Sequence, residues 1–156
     1  MGASDPAASL PSEQRVTSAL LQLLKQEQAT LIEATIDGLT ELTRVKATHI
    51  HELGVLAKQR YAALASAGFE ANEGAMRKWA DSQPAHSNVH TLWNGLLELA
   101  TEAKELNRIN GMLVARHLLR NQTELNILQG KPQNGNFYGP DGQSTGKGMG
   151  RGLGIG

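Results

Sequence analysis

Residues 89–129 read VHTLWNGLLELATEAKELNRINGMLVARHLLRNQTELNILQ, and the spacing of their apolar residues decides the fold. On a helical wheel at about 100° per residue, Val89, Leu92, Trp93, Leu96, Leu99, Ala100 and Ala103 form one compact stripe. The stripe predicts an amphipathic helix capped by Ser87 or Asn88 and stopped by Gly130 and Pro132. Such a helix is about 60 Å long at 1.5 Å per residue. Its second half differs. Leu106, Ile109, Leu113, Val114, Leu118, Leu125, Ile127 and Leu128 widen the arc to roughly half the wheel, with Met112 and Leu119 beyond it. Asn107, Asn110, His117 and Asn121 interrupt the original stripe. Broad apolarity with inlaid amides is the pattern of a segment that meets two surfaces, its own bundle and something else.

Working outward, the residues before this helix are also helical in pattern. Ser12 is a candidate cap, and apolar residues recur at Val16, Leu20, Leu23, Leu24, Leu31 and Ile32. A break is expected at residues 35–38, with Asp37 as the next cap and Gly38 at the turn. Leu39, Leu42, Val45, Ile50, Leu53, Leu56, Tyr61 and Leu64 define a second helix, closed by Gly68. A short helix over residues 72–82, with Met76, Trp79 and Ala80 on one side, ends before Pro84. The expected fold is all-α: an elongated antiparallel helical bundle or coiled coil of two long helices, a short connector and a very long last helix. Residues 1–11 are expected to be a flexible N-terminus, 12–129 the helical domain and 130–156 a flexible glycine-rich tail.

The glycines support that last boundary. Of 17 glycines in 156 residues, ten fall between Gln129 and Gly156. Fifteen basic and 15 acidic residues give zero net charge, which speaks against a nucleic-acid partner. The N-terminal stretch has neither a basic region nor an apolar core of a secretion signal, and no run suits a membrane span. The chain is therefore expected in the cytoplasm. Zero cysteines exclude disulfides and thiolate chemistry.

Nothing in the sequence builds a catalytic centre. His49 and His51 point apart on a helix, and His86 with His90 straddles a helix start without a third ligand. Gly142-Gln-Ser-Thr-Gly-Lys-Gly lacks the spacing, and the hydroxyl after lysine, of a phosphate loop. Neither an enzyme activity nor a metal or cofactor is expected. The three asparagines have two readings. Buried amides can fix the register of a bundle, or they can hydrogen-bond a partner helix laid alongside, with leucines as anchors.

The chain resembles the FlgN family of flagellar export chaperones. The resemblance is carried by LLQLLKQEQATLIEATIDGLTEL (20–42), AGFEANEGAMRKWADSQP (67–84) and LWNGLLELATEAKELNRINGMLVARHLLRNQTELNIL (92–128). Its most specific element is Asn107-x-x-Asn110-Gly111 followed by Tyr138-Gly-Pro-Asp-Gly142. The resemblance implies a cytosolic helical protein without catalysis. It would bind the C-terminal regions of the hook–filament junction proteins FlgK and FlgL, prevent their premature assembly and deliver them to the export gate protein FlhA. The implied cargo surface comprises Leu106, Asn107, Ile109, Asn110, Leu113, Val114, His117, Leu118, Asn121, Leu125 and Leu128, and Tyr138 matches the gate-docking tyrosine. The alternating glycines from Gly146 to Gly156 depart from the family pattern. The alternative is a structural coiled-coil protein that associates with itself.

Overall fold

A computed structural model describes residues 5–35 and 37–130. The regular structure in these residues is helical: α1 (Leu10–Glu33), α2 (Leu39–Ser66), α3 (Glu73–Asp81) and α4 (Val89–Leu128). The chain divides into one compact unit ending at Val114 and a second beginning at Ala115.

The first unit corrects the expected N-terminus. α1 starts two residues before the anticipated Ser12 cap, with Pro11 in its opening turn, where a fixed φ and a missing N–H cost nothing. Asp5 organises the lead-in by accepting the Ala7 N–H at 2.9 Å. Ala7, Ser9 and Leu10 are buried, and Leu10 packs in the same apolar cluster as Leu64, Met76, Trp79 and Trp93. The stretch leading into α1 thus belongs to the packed body, because Ala7 and Leu10 both sit in that cluster.

Helix ends follow backbone chemistry. α1 closes at Ala34, a left-handed residue at φ 59°, and α2 opens at Gly38, φ 92°, rather than at the anticipated Asp37. Gly38 is well suited to that position, since a Cβ there is strained. At the far end of α2, Gly68 (φ 89°) lets its own N–H reach the Ala65 carbonyl while Phe69 N–H reaches that of Leu64. This paired closure satisfies two carbonyls that the helix leaves open, and Phe69 packs on the cluster containing Leu64. Asn72 caps α3 by accepting the Ala75 N–H at 2.8 Å.

Side-chain pairs give the directions. Glu13 meets Arg60 and Glu27 meets Lys46, so α2 runs antiparallel to α1. Gln14 donates to the Leu92 carbonyl and Asn110 to that of Leu24, so the first part of α4 runs parallel to α1. One apolar cluster gathers Leu10, Leu64, α3 and the start of α4; another joins Leu20, Leu21 and Leu24 to Ala103. Full burial of each leucine contributes about 1.5–3 kcal/mol, so Leu10, Leu24 and Leu64 are strong anchors.

Between these clusters lies an ion-pair network. Arg60, 3% exposed, donates to both carboxylate oxygens of buried Glu13 at 2.9 and 3.0 Å. It also reaches Glu73 of α3 at 2.8 Å. The Tyr61 and Trp93 rings stand 5.2 and 4.9 Å from the guanidinium carbon. Burial opposes the charge on Arg60, but the hydrogen bonds to Glu13 and Glu73 outweigh it and drive its pKa up. Four helices therefore converge on one cation.

Candidate partner-binding surface

The residues anticipated as a cargo surface all lie on α4, and the structure sorts them into two sets. Within the first unit, Leu106 leans on the cluster of Leu20, Leu24 and Ala103, and Ile109 and Leu113 are half-buried. Asn107 is exposed, and its carbonyl oxygen accepts from Lys46 at 3.2 Å. Val114 is 40% exposed.

Asn110 is a correction to the expected partner surface. It is 1% exposed, and its amide nitrogen donates to the Leu24 carbonyl at 2.9 Å and to Glu27 at 2.8 Å. Lys46 supplies the countercharge to Glu27 at 3.1 Å. Both hydrogen bonds of the amide nitrogen are thus spent within the first unit. Asn110 follows the register-fixing reading, while Asn107 and Asn121 remain at the surface. The Asn110 Oδ1 has no hydrogen-bond partner among the described residues.

In the second unit the described residues are one helical segment, 115–130 including its closing turn. His117 is half-buried, whereas Leu118, Asn121, Leu125 and Leu128 are exposed, the leucines by 64, 47 and 84% in order. From Leu118 to Leu128 the exposed positions step by 3, 4 and 3 residues, the spacing of a coiled-coil seam. An apolar seam open to solvent is what helix-in-groove recognition uses. Asn121 is the one polar residue among the leucines of this stripe.

Several features escaped the sequence reading. The Glu13–Arg60–Glu73 network joins residues up to 47 positions apart, which no local pattern reveals. Arg108 pairs with Glu105 at 2.6 Å and Arg44 with Glu41, each pair three residues apart on an exposed helix face. Leu119 and Ile127 are 68 and 64% exposed on the side of the segment away from the seam. Wheel positions alone could have found that second face. His90 lies 3.3 Å from Asp81, and no cluster of three or more metal-ligating residues occurs among the described residues. No helix among the described residues is long and apolar enough to cross a membrane. Tyr138, with the tail beyond Gly130, lies outside the described residues.

Comparison with known proteins gives this geometry a family. The family model for the FlgN protein matches residues 1–146. The "Flagella synthesis protein FlgN" of Proteus mirabilis is 32% identical over 124 residues, 78% of this chain and 77% of that protein. The protein of the same name from Yersinia enterocolitica is 28% identical over 152 residues, 94% of each chain. No solved structure matches significantly. The match therefore spans the α1–α4 body as well as part of the tail, and the chain belongs to the FlgN family.

Proposed function

We propose that this chain serves flagellar assembly as an export chaperone. It holds the C-terminal helices of hook–filament junction proteins of the FlgK and FlgL type, keeps them from assembling early, and passes them to the export gate protein FlhA. It works in the cytoplasm by binding alone, without catalysis or a cofactor. The observation that carries this reading is the open seam of Leu118, Asn121, Leu125 and Leu128. Family membership and the names of its relatives supply the flagellar context.

The physics suits a carrier. Junction proteins assemble through amphipathic helices, and an exposed apolar stripe in water invites aggregation. A complementary seam covers such a stripe. Each seam leucine, 47–84% exposed, contributes roughly 1–2 kcal/mol when a partner covers it. Tyr138 is the side chain assigned to gate docking.

The test is calorimetric titration of the full chain with a C-terminal fragment of a junction protein. A one-to-one soluble complex is expected, lost in the Leu118→Asp/Leu125→Asp variant while circular dichroism stays unchanged. Undiminished binding by that variant refutes the seam assignment. Sedimentation of the chain alone checks the self-association reading: a stable dimer abolished by the same substitutions would favour it.

A further inference from the structure

The end of α4 has a second open face. Setting Leu118 at zero, the seam residues fall within about 80° to one side, whereas Leu119 and Ile127 lie near 100° and 180°. A helix apolar on two sides is normally enclosed on both. One helix laid along the seam leaves Leu119 and Ile127, 68 and 64% exposed, still in water.

Charge distinguishes the two faces. Arg116 and Arg120 flank Ile127, at about 160° and 200° on the same wheel, with Arg116 between Ile127 and Leu119. Both are exposed, and neither forms an ion pair among the described residues. Glu124, one turn after Arg120, forms none with it either. The seam, by contrast, is edged by uncharged Gln122 and Gln129 on one side and by acidic Glu124 on the other, with no cation at either edge.

We propose that this second face binds an acidic amphipathic helix, its leucine-type side chains against Leu119 and Ile127 and its carboxylates on Arg116 and Arg120. A guanidinium fork accepts a carboxylate in two parallel hydrogen bonds, so paired arginines beside an apolar strip select acidic partners. A second copy of this chain laid antiparallel would offer one carboxylate, Glu124, to the two arginines and leave a cation unmatched. Residues 131–156 hold three basic residues and one acid, so the tail is no better matched. Two arginines fall short of the basic clusters that hold proteins on anionic membranes. The ligand is defined by chemistry alone, so failure of junction-protein binding and failure here are separate results.

Two synthetic helical peptides test it, with identical leucine positions but glutamate flanks in one and lysine flanks in the other. Binding to the full chain is followed by fluorescence anisotropy in low salt. The acidic peptide is expected to bind about tenfold more tightly, the scale set by two charge-assisted contacts. Arg116→Glu/Arg120→Glu should reverse the preference, and Leu119→Asp/Ile127→Asp should remove binding of the acidic peptide. Leu118→Asp/Leu125→Asp should leave the preference intact. Equal affinity for the two peptides, a preference that survives arginine reversal, or loss of preference only with the seam variant overturns the proposal. So does arginine-dependent binding to phosphatidylserine vesicles without peptide discrimination.

Discussion

Replacing Arg60 by methionine removes the cation on which all four helices converge. Glu13, buried among apolar side chains, would keep only the Ser9 hydroxyl, which donates to it at 2.8 Å. Stranding one partner of a buried ion pair costs about 3–5 kcal/mol. Glu73 adds less than about 1 kcal/mol, because its half-exposed carboxylate returns to water. The lost contacts with the Tyr61 and Trp93 rings are partly offset by methionine sulfur packing on the same faces. Arg60→Met should therefore cost about 4 kcal/mol, most of it from Glu13. With a urea m-value of about 2 kcal/mol/M, the unfolding midpoint should fall by about 2 M. The companion variant Glu13→Leu/Arg60→Met removes both charges. It should recover to within about 1–2 kcal/mol of the parent, since a buried pair is often worth little more than apolar packing. Far-UV circular dichroism in urea measures both. A loss below about 1 kcal/mol in the single variant, or no recovery in the double, refutes the claim that Glu13 is held as a buried charge by Arg60.

Three further outcomes are expected. Asn110→Asp sets a second carboxylate 2.8 Å from Glu27 and removes the donor to Leu24, and should lower stability by about 2–4 kcal/mol in urea unfolding. Cargo affinity of its folded fraction should be unchanged in calorimetry, which separates Asn110 from the seam. Tyr138→Ala should leave cargo binding intact and weaken binding to the gate protein in a pull-down; equal loss of both would sink the division of labour. Ala115→Pro deletes a helical hydrogen bond at a cost of about 3 kcal/mol, and should lower the helical dichroism while leaving the aromatic environment of Trp79 and Trp93 unchanged in near-ultraviolet spectra.

What was legible in the sequence is what short-range physics specifies. Gly68 signals a helix end because only the left-handed region closes α2 there, and Asn72 signals a start because its side chain reaches the third N–H onward. The apolar stripe from Val89 to Ala103 is buried or half-buried at most of its positions, though Ala100 is exposed. The start of α1 was missed because Ser12 is as good a cap by composition as the backbone turn that precedes Leu10. The three asparagines look alike in sequence; only the arrival of Glu27 beside Asn110 separates them. Arg60 and Glu13 likewise read as ordinary members of polar faces, since the sequence does not say that those faces meet.

That α4 is a single helix of 40 residues has a consequence for how its far end exists at all. An isolated helix of fewer than about 12–15 residues is marginal in water, chiefly because its first turn must form unaided. The segment from Ala115 to Leu128 is spared that step, since it propagates from turns already fixed by the buried Trp93, Leu96 and Ala103. Each added residue then needs only an elongation factor near unity, which its leucines, arginines, glutamine and glutamate supply. The packed part of the chain acts as a nucleus, and the displayed leucines are held in helical register before any partner arrives.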